Sequence, residues 1–335
     1  MFPSEHHHLN TESYYENIIV ISLQKINSKV LSRQHGLSMI ELIIAMALGL
    51  FLVFALVEIL INGKQSFSSA NNLSRLQENG RIATDLIVSD LKRAGYAGGN
   101  SNVPNISGTT APELPTANCP PTNTNWGLMI EQPVFGKNDK RGGYGCIPDA
   151  DYLRGDILVV RHAAPWVEDP AALIAGRVYL RSSLFSGRTF KAGNDVTDAP
   201  ENDVPETPNS VRELIAHGYY VGPSGRTCNG ADVPSLWRVS LSDAGLPERK
   251  ELLSGIENLQ VQYGINNQYL DADDIALANW PDVTTVRIWL LVRSECAESG
   301  YSDARTIVMG DDNYVVDDSY RRQLYSSVVM IRNDI

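Results

Sequence analysis

Glu41 stands near the start of an apolar run, residues 37–61, whose only other ionisable side chain is Glu58. A carboxylate placed in hydrocarbon costs on the order of 2.5–3.5 kcal/mol unless a cation pairs with it. The chemistry this position offers is therefore a buried ion pair, and the question is what supplies the cation. Glu58 lies close to the end of the run, where a border charge reaches the interface.

Other groups capable of chemistry are few. Cys119, Cys146, Cys228 and Cys296 all follow the run, and none is spaced C-x-x-C, which argues against zinc or dithiol redox chemistry. If the run carries them out of the cytoplasm, oxidation to two disulfides is expected. Three pairings are open, and Cys119 with Cys146 and Cys228 with Cys296 is the one favoured. Apart from the histidines at positions 6–8 and His35, only His162 and His217 occur, each next to an apolar strand and read as a packing residue. Ser89 and Lys92 form an S-x-x-K pattern, but on a surface-patterned helix. No H-E-x-x-H, G-x-S-x-G or G-x-x-x-x-G-K sequence is present. No catalytic, cofactor-binding or metal-ligating residue is assigned, and the chain is not expected to be an enzyme.

Two acidic clusters bring oxygen ligands close together, Asp271, Asp273 and Asp274 in "YLDADDIALANW" and Asp311, Asp312, Asp317 and Asp318 in "GDDNYVVDD". Both lack the glycine and distal glutamate of an EF-hand loop. They are read as solvated loops, a reading that a calcium-dependent rise in melting temperature would reverse. With 28 basic against 39 acidic residues the net charge is −11 and no Lys/Arg block stands out, so no direct nucleic-acid site is expected.

The elements that position these groups follow from pattern. At ~1.5 Å per residue the run 37–61 crosses a hydrocarbon core of ~30 Å, and it is longer than the ~7–15 residues of a signal-peptide core. Lys25, Lys29, Arg33 and His35 precede it, holding that side in the cytoplasm and sending the remainder across. Leu73, Leu76, Ala83, Ile87 and Ala94 continue at helical spacing, so one helix is expected from about Ser38 to Ala94, with Gly63 and Gly80 as weak points. Strand signals follow at "GDILVVRHA", "GRVYLRSS", "HGYYVG", "SLWRVSLSD", "GIENLQVQYGI", "VTTVRIWLLVRS" and "YSSVVMIRND". Their alternation favours an antiparallel sheet with one buried face, covered by the second half of the helix. Polar stretches near 100–125 and 191–210 read as loop insertions.

The segment Gly36, Leu37, Ser38, Met39, Ile40, Glu41, Leu42 resembles the class III signal of type IV prepilins and pseudopilins. The resemblance implies that prepilin peptidase cuts between Gly36 and Leu37 and methylates the Leu37 amine. It also implies that Glu41 pairs with the charged amino terminus of a neighbouring subunit. Leu37 departs from the phenylalanine most frequent there. The stretch "SRLQENGRIATDLIVSDLKRAGYAGG", with "ENLQVQYG", "VRIWLLVRS" and "RRQLYSSVVMIRN", is similar to PilW-type minor pilins and more distantly to J-type pseudopilins of type II secretion.

What the resemblance implies is a pilin-like α+β fold: leader 1–36, membrane half-helix 37–61, second half-helix 62–95, and a periplasmic head 96–335 on a single-pass inner-membrane anchor. The leader is long, and initiation at Val30 would shorten it. The implied role is initiation of type IV pilus assembly near the pilus tip, supporting adhesion or twitching motility. The implied partners are prepilin peptidase, other minor pilins, the major pilin, a large tip adhesin and the inner-membrane assembly platform. A type II secretion pseudopilin is the nearer alternative, and a membrane-anchored periplasmic enzyme or binding domain the more distant one.

Overall fold

The computed structural model describes residues 36, 38–111, 119–193, 204 and 207–332. A single helix, α1, spans Met39–Leu91. Its start is set by Ser38, whose Oγ accepts the Glu41 N–H at 3.2 Å while its carbonyl takes the Leu42 N–H at 3.1 Å. Its end falls three residues before the expected Ala94, because a tertiary bond takes over. The Ala94 N–H already tightens to Leu91 O, and the N–H of Gly95, at φ 76°, leaves the helix for Arg161 O at 3.0 Å.

The chain divides into two compact units, Met1–Gly63 and Lys64–Ile335. In the first, the described helix is apolar and exposed along its length, with Ile40 69%, Phe51 77% and Phe54 66% accessible. It is the one helix among the described residues long and apolar enough to cross a membrane.

The second unit holds the rest of α1 and two sheets. The larger contains β1 (Ile106–Ser107), β2 (Val134–Lys137), β3 (Arg154–Ala163), β4 (Val178–Ser182), β5 (Gly187–Lys191), β6 (Ser210–Cys228), β7 (Ala231–Leu241) and β8 (Pro247–Ser254). Its order is β1-β5-β4-β6-β3-β2, with β7 on β6 and β8 on β7; only β1 and β5 are parallel. The smaller contains β9 (Ile256–Ile265), β10 (Gln268–Leu270), β11 (Thr285–Arg293) and β14 (Arg322–Met330), antiparallel in the order β10-β9-β11-β14. The hairpin β12 (Asp303–Met309) and β13 (Asp312–Asp318) completes the head, with the short helix α2 at Asn125–Leu128.

All seven strand signals lie on strands; β1, β2, β5, β8, β10, β12 and β13 fall outside them. "GDDNYVVDD" is a tight turn and a strand rather than a loop, since its "YVV" core supplies Val316 to a small cluster with Leu291, Ile307 and Met309. The polar stretch after residue 100 is also more ordered than its composition suggests. Asn100 donates to Ser183 O and Ser186 O, and Val103 and Ile106 are buried. Most of the stretch 191–210 lies outside the described residues.

Leu76, Ala83, Ile87 and Leu91 of α1 share one core with Leu158 and Val160 of β3, Leu259 and Val261 of β9, and Val286 and Ile288 of β11. Leu73, expected in the same stripe, is 42% exposed. Disulfides join Cys119 to Cys146 and Cys228 to Cys296, spanning 27 and 68 residues. Closing such loops restricts the unfolded chain and so favours the head.

Gly80 is more than a helix weak point. A Cβ there would enter the ring of Tyr325, whose hydroxyl donates to Leu76 O and Gln77 O at 3.4 Å. Alanine gains about 1 kcal/mol of helix propensity, but the overpacking opposing it is about 1–3 kcal/mol. Gly80→Ala is therefore expected to lower stability by about 1 kcal/mol in thermal unfolding, and a rise in melting temperature would contradict the close approach.

Candidate functional site

The start of α1 carries the residues singled out by the sequence. Gly36 is exposed, and a Cβ added to it meets nothing within 4 Å. The fold itself makes no demand for glycine at this position, so a requirement for glycine has to come from something that binds the segment. Leu37 lies outside the described residues. Ser38 and Glu41 stand in the S-x-x-E spacing of a capping box, and the bond from the Glu41 N–H to Ser38 Oγ is one half of it. An acid in the first turn also faces the positive end of the helix dipole. Glu41 thus has a local role in starting the helix that its placement in an apolar run did not reveal. Its carboxylate is exposed and makes no hydrogen bond or ion pair among the described residues, which leaves it available to a partner.

A second acid occupies an apolar face at the other end of α1. Asp90, 6% exposed, lies between Ile87 and Leu91 on the stripe that packs on the head. His217 Nδ1–H and the Tyr219 hydroxyl, both from β6, donate to its Oδ2. His162 of β3 places Nε2 3.9 Å from Oδ1 and uses Nδ1–H on Ala163 O at 2.8 Å. Burial works against charge on both Asp90 and His217. For Asp90 the nearby His162 and the bonds from His217 and Tyr219 outweigh it and hold the carboxyl well below the usual range. For His217 burial prevails and the imidazole is pushed down, toward the neutral donor. Burial and then the Asp90 charge push the Tyr219 hydroxyl up, so it too stays a donor. The result is a buried carboxylate that ties α1 to β6.

The two histidines read as isolated packing residues are thus brought together on one acid. Their signal was present: Asp90 interrupts the helical stripe much as Glu41 interrupts the apolar run. Among the aromatic side chains of β6, β7 and β11, Tyr219 and Tyr220 are buried and Trp237 and Trp289 half-buried. Ser89 Oγ donates to Leu86 O at 2.9 Å, which gives the S-x-x-K pattern a helical explanation. The acidic clusters do not stay separate: Asp271 lies near Asp311 and Asp139, whereas Asp318 turns to Arg322 at 2.6 Å.

Residues 218–333 match the family model of type IV pilus-assembly protein W, PilW. No curated protein shows significant sequence similarity to the chain. Among solved structures, a type IV-like pilin from Thermus thermophilus aligns at 12% identity over 78% of this chain and 99% of its own, with a TM-score of 0.36. The family match begins within β6 and runs through β14, covering the "ENLQVQYG", "VRIWLLVRS" and "RRQLYSSVVMIRN" segments that suggested PilW. Over these segments the chain is similar to the PilW proteins of type IV pilus assembly.

Proposed function

We propose that the chain is a minor pilin that helps initiate type IV pilus assembly at or near the pilus tip. The observation that carries this reading is the union, in one chain, of two features: Gly36 and Glu41 at the start of an exposed apolar helix, and a carboxy-terminal segment that matches the PilW family. In this reading the helix anchors the precursor in the inner membrane with the head in the periplasm. Prepilin peptidase cuts between Gly36 and Leu37, removing the basic leader, and the Leu37 amine is methylated. Glu41 then meets a positively charged amino terminus on a neighbouring subunit, exchanging an unpaired acid in hydrocarbon for an ion pair.

The apolar surface of residues 39–61 supplies the bundle of helices, and the heads select neighbours among minor and major pilins and a tip adhesin. Adhesion or twitching motility follows from the assembled pilus, and the chain is the substrate of an enzyme rather than an enzyme itself. Intact mass and amino-terminal sequencing, with and without the host's prepilin peptidase, test the reading. A peptidase-dependent chain beginning at methylated Leu37 supports it; an uncut chain, or one cut after Ile61, overturns it.

A further inference from the structure

One face of β9 presents three amides at alternate positions, Asn258, Gln260 and Gln262, and each donates to a carboxylate from a different segment. Asn258 donates to Asp312 at 2.9 Å, Gln260 to Asp139 at 2.7 Å, and Gln262 to Asp271 at 2.9 Å. Asn138 donates to Asp311 at 2.9 Å, and Asp156 takes the N–H groups of Asp139 and Val261. The segments after β2, before β11 and between β12 and β13 therefore converge on one strand face.

Asp139, Asp156, Asp311 and Asp312 have no ion-pair partner among the described residues; Lys140 is engaged with Asp273 instead. Gln260 is only 1% exposed, yet its Oε1 has no hydrogen-bond partner, although the same amide reaches Asp139 through Nε2 and Asn258 through a 3.4 Å contact. A buried carbonyl oxygen left without a donor costs about 1–3 kcal/mol, and here the same amide meets the Asp139 carboxylate. A cation that accepts oxygen ligands would answer the carbonyl and the carboxylates together.

We infer that Asp139, Asp311 and Asp312, with the Gln260 carbonyl oxygen, form a binding site for a hard divalent cation, calcium by preference. Carboxylates mixed with amide carbonyls in a flexible, loop-supplied arrangement suit calcium's 6–8 oxygen ligands better than the strict octahedron of magnesium.

Among the described residues no three of these side chains already close on a single point, so binding draws them inward. The amides make that closure feasible: an amide presents N–H on one side and C=O on the other, and a half-turn changes Asn258 or Gln260 from donor to ligand. The site would fasten the β12–β13 hairpin and the Asp139 turn to β9, independently of how the amino-terminal helix is processed.

The test is thermal unfolding of the full-length chain in detergent, in EDTA and in 2 mM calcium or magnesium chloride. Calcium is expected to raise the melting temperature by about 3 °C or more, and magnesium by less than about a third of that. The double variant Asp311→Asn, Asp312→Asn is expected to melt in EDTA at or above the parent's temperature and to lose the calcium response. If that variant fails to fold, Asp139→Asn, at an exposed position, must reduce the response at least about threefold. No calcium response in the parent, an equal response to magnesium, or a response that survives these substitutions overturns the site.

Discussion

Glu41→Gln is expected to be cut after Gly36 like the parent chain but to enter pili at least about 100-fold less well. Glutamine keeps the length and polarity of Glu41 and removes its charge. Ser38 Oγ holds the helix start through the backbone N–H of residue 41, so that bond survives the substitution. Only the charge is removed, and with it the partner for a neighbouring amine. Leaving one member of a buried pair uncompensated costs about 3–5 kcal/mol, and every 1.4 kcal/mol is tenfold in an equilibrium. Glu41→Val keeps the same backbone bond to Ser38 Oγ, loses the charge, and should assemble no better than the glutamine variant. Gly36→Ala should act earlier and accumulate uncut precursor, because nothing in the fold resists a methyl group there. Immunoblots of whole cells and sheared pili separate the three outcomes. If Glu41→Gln assembles normally, the charge is not needed and the pairing mechanism fails.

The sequence was most legible where one periodicity ran long. Residues 37–61 could be little else than an apolar helix, and the seven strand signals lay in β-branched and aromatic segments that became strands, although β3, β4 and β9 are buried along nearly their whole length rather than on one face. It was least legible where order comes from contacts distant in sequence. Asn100 fixes a polar stretch through carbonyls more than 80 residues away, a bond no local composition announces. "GDDNYVVDD" looked like a loop because three of its four acids are spent on the turn and strand ends, hiding the apolar pair in the middle. The amides of β9 are unremarkable polar positions in the sequence, and their meaning appears only when three separate acidic segments arrive on them. Asp90 was legible in principle, since an acid on a buried stripe asks for partners, but no spacing rule could name His217 and Tyr219, 127 and 129 residues on.

Asp90→Ala is expected to cost the head about 3 kcal/mol at pH 7, lowering its melting temperature by roughly 6–12 °C. Alanine leaves the Nδ1–H of His217 and the hydroxyl of Tyr219 buried without their acceptor, and hydrogen bonds to a charged group are worth about 1.5–3 kcal/mol each. The same substitution should alter the pH dependence in a direction fixed by the two shifts. Because the Asp90 carboxyl is held below its unfolded value, its contribution is complete at neutral pH and is lost as pH falls through the carboxylate range, where the unfolded chain binds the proton first. Because His217 is held neutral by burial, acidification below its unfolded value of about 6.5 also favours the unfolded chain. Both act in one direction, so the parent should lose stability steadily from about pH 7 to pH 3. The Asp90→Ala chain should lose less between pH 5 and pH 3, its largest acid-sensitive contribution being gone. Equal slopes in that window would mean that Asp90 is not the ionised hub of the junction. In that case His162 of β3 and His217 of β6 would be holding α1 through packing alone, and Asp90→Asn would then unfold no earlier than the parent.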